Sequence, residues 1–369
     1  MSEQKTVGVF VPGLEGGVDE AAHHLFGAGD SADYRIHIYE TKGLDPKRAP
    51  LVFGRMLLTV ILHRLTGRLD GAHLNMSFRG STIRKTIIGL LLVVLRVPYV
   101  VQIHSGGYRG WWANLGKRPR VAVRAMTGRA RRVAVLGEVF LPVATQDFGI
   151  PAERAIVMPN AVPAQPPSAN AIPVGDESGG APTPAAVLYL GRLHTEKGTF
   201  DLIDALANLA DLDWSATLAG NDQVAEVRAA VASAGLTDRI TVLDWIDRDE
   251  ATRLAGRSTI FALPSRNEAM SMSLLEAMGQ GMACIATEVG AHGDFLADGE
   301  NALVVEPGSV DQLTAALRAV ITDADLRAAL GRNASQLVAD GYDAAVVRSR
   351  WEDLYDEALF AKPAVTAGG

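Results

Sequence analysis

Short apolar runs recur along this chain, and each feeds a glycine-rich or polar turn and then a segment of helical periodicity. In the first half, Val7–Val11, Ala72–Met76, Tyr99–Ile103 and Ala155–Met158 predict buried strands, and the alternating Arg35–Tyr39 predicts another. Helices are predicted at Val18–Phe26, Leu51–Arg68 and Glu138–Phe148, and Arg124–Leu136 holds a basic helix and a strand. Thr86–Ile103 is an 18-residue, largely apolar run. Arg96 interrupts it and Pro98 breaks a helix, so a buried helix followed by a strand fits better than a membrane span. Tyr108–Pro119, rich in glycine and tryptophan, reads as a mobile surface loop.

The second half repeats the pattern. Strands are predicted at Ala185–Leu190, Trp214–Ala219, Ile240–Leu243, Thr259–Leu263, Ala283–Thr287 and Leu303–Val305. Helices follow at Thr199–Leu209 and, near the end, at Tyr342–Phe360, with Pro363–Gly369 as a disordered tail. Strand, turn and helix in alternation imply an α/β architecture with parallel sheets. Residues 164–184 are rich in Pro, Ala, Gly and Ser without periodicity, and read as a linker between a domain at 1–163 and one at 185–341.

Charge sharpens the division. The net charge of −7 conceals 21 Lys/Arg against 12 Asp/Glu in residues 1–163, a net of +9, and 14 against 30 in the remainder, a net of −16. A basic first half suits an anionic membrane surface or an anionic acceptor. Nucleic acid fits less well, because the basic residues are spread out and no recognised binding motif occurs. The one cysteine, Cys284, lies in an apolar strand, where an inert buried thiol is expected and no internal disulfide can form. Met1–Thr6 is polar and Val7–Val11 is too short for a signal-peptide core, so a cytoplasmic setting is expected.

Candidate chemistry collects at the carboxyl ends of predicted strands, where open parallel sheets bind ligands. Gly16-Gly17 follows the first strand, and His104-Ser105-Gly106-Gly107 follows Tyr99–Ile103. Gly191 to Gly198 carries Arg192 and Lys197, a bidentate fork and a point charge suited to an anion. In Pro264–Gly290, Glu268 and Glu276 are separated by seven residues and flank Ser271, Ser273 and a helix start. Two readings of that stretch stand side by side. The carboxylates grip hydroxyls on either side of a phosphate held by the helix N-terminus, or Ser273 and Glu276 form an S-x-x-E capping box. The D-x-D triplets Asp211-Leu212-Asp213 and Asp247-Arg248-Asp249 precede apolar segments and read as caps or turns, and no C-x-x-C or H-E-x-x-H spacing suggests a metal.

Together these residues resemble retaining glycosyltransferases of the GT-B architecture, close to glycosyltransferase family four, the glycosyl transferases group 1. The resemblance spans nearly the whole chain. Its most specific parts are the E-x7-E pair Glu268/Glu276, the G-R-x4-K-G loop at 191–198 and the Pro159-Asn160 junction; Gly16-Gly17 and the His104 turn match less specifically. It implies two Rossmann-like domains facing across a cleft, the first receiving the acceptor and the second a nucleotide-diphosphate sugar, with the helix at 342–360 packed back on the first. It implies Gly191, Arg192 and Lys197 on the diphosphate, completed by backbone N–H groups near Met272 and Ser273. Glu276 would hold the ribose and Glu268 the transferred sugar. Asp244, Trp245 and Ile246 would lie near the base, and Gly16, Gly17, Asn160, Ala269, Met270 and Ser271 would line the donor. His104 would position the sugar.

The implied activity is transfer of a hexose-type sugar to a glycan or lipid-linked acceptor. No cofactor or metal is required, because fixed cations and a helix end meet the leaving group's charge. The chain departs from the family pattern at Ala269, Met270 and Ser271, where Gly and then a Phe-Gly pair are usual, and at Asp294, where Glu is usual; His292 has no assigned part. A nucleotide-sugar epimerase on the same fold, a non-catalytic nucleotide- or glycan-binding module, and a transferase using a phosphosugar are the alternatives.

Overall fold

The computed structural model describes residues 4–13, 17–27, 29–42, 47–104, 106–164 and 185–361. Gly16, Ser105, the linker from residue 165 onward and the tail at 363–369 lie outside the described residues. The chain divides into two units, residues 1–163 with 344–369, and residues 164–343.

In the first unit the strands β1 (Lys5–Val11), β2 (Tyr34–Glu40), β3 (Gly71–Met76), β4 (Tyr99–Ile103), β5 (Val133–Val135) and β6 (Ala155–Val157) form one sheet in the order β2-β1-β3-β4-β5-β6. All pairings are parallel. β3 and β4 are buried along their whole length, which is why they read as near-continuous apolar runs. The helices of this unit are α1 (Gly17–Phe26), α2 (Ala49–Leu65), α3 (Gly80–Val94), α4 (Tyr108–Ala113) and α5 (Lys117–Thr127). Met56 and Val60 of α2, Ile88 and Leu92 of α3, and Val123 and Met126 of α5 share one core with Leu74 and Val101 of the sheet.

Two expectations are corrected here. Tyr108–Pro119 is α4 and the start of α5, not a loop. Tyr108 and Trp112 are buried against Phe148, with ring centroids 5.4 and 5.1 Å away, so the aromatic residues anchor the segment. The single helix expected at Glu138–Phe148 is two short turns, a tight one at Glu138–Phe140 and a wide one at Val143–Asp147.

The second unit holds β7 (Ala185–Leu190), α6 (Thr199–Ala207), β8 (Trp214–Ala219), α7 (Val224–Ser233), β9 (Ile240–Leu243), α8 (Arg248–Ala255), β10 (Ile260–Leu263), α9 (Met272–Gly279), β11 (Ala283–Thr287), β12 (Leu303–Val305), α10 (Val310–Thr322) and α11 (Ala324–Gly341). Its sheet runs β12-β11-β10-β7-β8-β9, again with every pairing parallel. The order winds outward in one direction from β7 and in the other from β10. At that reversal the connections leave on opposite sides, and a sheet of this kind opens a ligand crevice at the carboxyl ends of the two strands.

The last helix, α12 (Ala344–Tyr355), belongs to the first unit and continues as a wide turn to Phe360. The Ala344 N–H donates to the Val162 carbonyl at 2.8 Å, where the chain re-enters that unit. Trp351 is fully buried with its ring 4.2 Å from that of His73, and His73 Nδ1 lies 2.7 Å from the Tyr355 hydroxyl. With Val7, Val9, Ala22, Leu25 and Val100 these side chains form the core on the sheet's other face. Trp351→Ala is expected to cost about 3–5 kcal/mol. Urea unfolding followed by circular dichroism checks this; an unchanged midpoint would show that α12 does not hold the unit together.

Candidate functional site

The loop after β10 is held from both sides by glycines that no other residue replaces. Gly198, just before α6, has φ +69°, and a Cβ there would stand 2.1 Å from the Pro264 carbonyl oxygen. Gly290, after β11, has φ +61°, and its Cβ would stand 2.2 Å from the Glu268 carbonyl oxygen. Both positions need a left-handed backbone and a missing side chain at once. Arg266 Nη2 donates to both carboxylate oxygens of Asp201 on α6, at 2.9 and 2.7 Å, and the Arg266 backbone N–H donates to the Glu196 carbonyl at 2.9 Å.

That clamped loop presents Glu268 to the loop after β7. Glu268 Oε1 is 2.6 Å from Lys197 Nζ and accepts from Ser265 Oγ at 2.9 Å. Lys197 Nζ also donates to the Asn267 carbonyl at 3.3 Å. The two side chains are only 17% and 12% exposed, so each charge depends on the other for compensation. The pair bridges β7 and β10, the two strands at which the winding reverses.

The first turn of α9 adjoins the pair. Ser271 is its N-cap, its Oγ accepting from the Leu274 N–H at 3.3 Å. Ser273 instead donates its hydroxyl to the Leu190 carbonyl at 3.0 Å, fastening the helix start to the end of β7. The S-x-x-E capping box is therefore corrected: the cap lies two residues earlier, and Glu276 sits beyond the capping positions, 4.0 Å from Arg248. His292 also finds its place. Its Nδ1 lies 3.0 Å from the Thr287 carbonyl and its Nε2 accepts from the Ser271 N–H at 3.3 Å, which fixes a neutral tautomer. Burial holds this imidazole below its ordinary range. His292 thus orients the residue that caps α9.

Ala269 accepts through its carbonyl from the Ala291 N–H at 2.9 Å, and Met270 and Met272 are buried. Lys197, Glu268 and the 269–273 segment are thus brought together. The other candidates of this unit stand on neighbouring strand ends. Gly191 donates its N–H to the Ala219 carbonyl at 3.1 Å, and Arg192 lies 3.4 Å from Asp222 after β8. After β9, Asp244 pairs with Arg228 at 2.9 Å, Trp245 is exposed and Ile246 is half-buried.

Residues 176–337 match the family described as glycosyl transferases group 1. The second unit is a glycosyl transferases group 1 domain. Among curated relatives, an α-D-kanosaminyltransferase of Streptomyces kanamyceticus is 25% identical over 325 residues, covering 82% of this chain and 81% of that protein. A 2-deoxystreptamine glucosyltransferase of the same organism is 32% identical over 256 residues, covering 63% of this chain and 65% of that one. The fold matches Anabaena HepE, solved with UDP, at a TM-score of 0.75 and 18% identity, covering 96% of this chain and 100% of that one. The chain is a glycosyltransferase with the two Rossmann-like domains of the GT-B fold.

In the first unit of this glycosyltransferase, His104 directly follows β4. Its backbone N–H donates to the Met76 carbonyl at 2.8 Å, and its Nε2 lies 2.8 Å from Asn75 Oδ1. The buried Asn160 side chain opposes part of the effect of burial on the ring. Burial pushes the imidazole down to about 3, so it is neutral near pH 7. Gly17 opens α1.

Sequence reasoning passed over Ser265, Asn267 and Arg248, which reach Glu268, Lys197 and Glu276. Ser265 had a readable signal, a hydroxyl at a strand's carboxyl end three residues before the carboxylate; Arg248 had none. Of the D-x-D aspartates, Asp247 caps α8 by accepting from the Glu250 N–H at 2.8 Å, and Asp211 pairs with Arg318 at 2.8 Å. Cys284 is buried, and burial raises its thiol far above the ordinary range.

The buried imidazoles set a pH dependence. His73, like His104, is pushed from 6.5 to about 3 by burial. The unfolded chain therefore binds protons that the folded one refuses. Stability is full above pH 6.5 and falls as pH drops from there toward 3, by about 1.4 kcal/mol per pH unit for each such histidine. Urea unfolding between pH 7 and 5 measures the slope. His104→Gln is expected to reduce it by one histidine's share; an unchanged slope would mean that His104 is not held neutral.

Proposed function

We propose that the chain moves a hexose-type sugar from a nucleotide-diphosphate sugar to a glycan or lipid-linked acceptor, with retention of anomeric configuration and without a metal ion. The observation that carries this reading is the Lys197–Glu268 pair, 2.6 Å apart, at the point where the sheet reverses and beside the first turn of α9. The diphosphate lies against Lys197, Arg192 and the N–H groups of Met272 and Ser273, at the positively polarised end of the helix. Glu276 takes the ribose hydroxyls and Glu268 those of the transferred sugar. The exposed Trp245, with Asp244 and Ile246, borders the base. The names of the two curated relatives, which transfer kanosaminyl and glucosyl groups, support sugar transfer, and the UDP held by HepE supports a nucleotide donor.

The chemistry follows from charge. The bond from the anomeric carbon to the phosphate oxygen breaks with its electron pair on the phosphate. An acceptor hydroxyl bonds that carbon on the same face, and its proton passes to the departing phosphate. Lys197 and Arg192 meet the negative charge where it develops, and this electrostatic term makes a metal unnecessary. His104, being neutral, orients the sugar by hydrogen bonding. The basic first unit suits an anionic lipid-linked acceptor on the cytoplasmic face of a membrane.

A thermal-shift screen with UDP, GDP and ADP, without metal, tests the donor cradle. A nucleotide at a hundred times its Kd stabilises by about 2.7 kcal/mol and raises Tm by several degrees. Lys197→Ala is expected to lose the shift. Glu268→Ala is expected to keep it while turnover falls about 10²- to 10³-fold. Undiminished turnover in Glu268→Ala would remove that residue's assigned role, and conversion of the sugar nucleotide with no acceptor present would make the chain an epimerase.

A further inference from the structure

The outward faces of α2 and α3 break the usual rule for helices on a water-soluble protein. On α3 the exposed positions Ile83, Ile87, Leu90 and Val94 follow the spacing of one helical face, and no polar side chain lies among them. On α2 the exposed Leu51, Arg55, Leu58, Leu62 and Leu65 follow the same spacing, with one arginine. These apolar residues are between 36% and 78% exposed. The helices pack on the same core, and Arg64 Nε of α2 donates to the Leu95 carbonyl after α3 at 3.2 Å, so their outward faces adjoin at the helices' carboxyl ends. A contiguous apolar surface of this kind marks an interaction site rather than scattered exposure.

Charge says what covers it. Residues 47–137 contain 17 Lys/Arg and a single acid, Asp70, which accepts from the Thr6 N–H at 2.8 Å beside the sheet. Lys47, Arg48, Arg55, Arg68, Arg79 and Arg96 are exposed around α2 and α3. α5, which packs beside α3, adds the exposed Lys117, Arg118 and Arg124. A second copy would bring like charge against like across such a face. An anionic lipid surface instead attracts the basic rim and takes up the apolar stripe at the boundary between headgroups and acyl chains. Among the described residues no helix is long and apolar enough to cross a membrane.

We propose that the α2–α3 face seats the first unit on an anionic phospholipid bilayer, Ile83, Ile87, Leu90 and Val94 entering the interface and the surrounding arginines and lysines meeting the headgroups. The proposal rests on the membrane-surface part of the functional reading and names the surface responsible. Its test uses the full chain in co-sedimentation with phosphatidylglycerol–phosphatidylcholine vesicles and with phosphatidylcholine alone, beside analytical ultracentrifugation without lipid. The wild type is expected to pellet with the anionic vesicles and to be monomeric without them. The triple variant Ile83→Ser, Ile87→Ser, Leu90→Ser, and separately Leu58→Ser with Leu62→Ser, are expected to bind at least tenfold more weakly while keeping the wild-type circular dichroism spectrum. Equal binding by both variants overturns the assignment of this face but leaves membrane attachment standing. No binding of the wild type at low salt overturns both. A wild-type dimer that the variants dissociate overturns the proposal in favour of a second copy.

Discussion

A lysine and a glutamate 2.6 Å apart, both largely withdrawn from water, hold the second unit's functional edge in shape. The charges come from loops on two strands that adjoin in the sheet yet whose onward chains wind away from each other. Neither charge is tolerable alone at that burial, so the loops must meet closely. Close approach explains the left-handed glycines at 198 and 290, which admit the β10 loop from either side. It also brings the buried Ser265 hydroxyl and the backbone carbonyl of the exposed Asn267 within hydrogen-bonding reach of the pair. A ligand carrying phosphate at one end and hydroxyls at the other offers each member a new partner without exposing its old one.

The strands were legible because a parallel sheet covered on both faces demands apolar runs, and Val7–Val11, Tyr99–Ile103 and Ala283–Thr287 are such runs. Their spatial order was not legible. That β7 lies between β8 and β10 depends on how distant helices pack, and no local pattern encodes it. The candidate site residues were picked out by the spacing of Glu268 and Glu276 and by the 191–198 loop, and the structure brings Lys197 and Glu268 together. Glu276 was ambiguous for a physical reason: Ser271 and Ser273 are both competent caps, and only the hydrogen bond from Ser273 to Leu190 decides between them. Tyr108–Pro119 misled because glycine and polar residues suggest a loop, whereas two buried aromatics outweigh them.

Both units use uncharged imidazoles as rigid hydrogen-bonding posts. His292 reads one carbonyl and one N–H, and His104 stands beside Asn75. Burial keeps both neutral, so their geometry does not shift with modest changes of acidity. The mobile charges are spent elsewhere, on the lysine–glutamate pair in one unit and on the basic surface of the other.

The return of α12 to the first unit has a consequence for biogenesis. The strands β1–β6 are made before the second unit, yet the sheet face lined by Val7, Val9 and Val100 waits for Trp351 and Tyr355, which are made only after it. The second unit lies wholly between the two parts and can finish folding while the first is still open. Order of synthesis and order of completion are therefore reversed, and this sheet face, which α1 also packs against, waits for its last helix while the whole second unit is made. A truncation between α11 and α12 spares the second unit's fold but strands the first without its last helix.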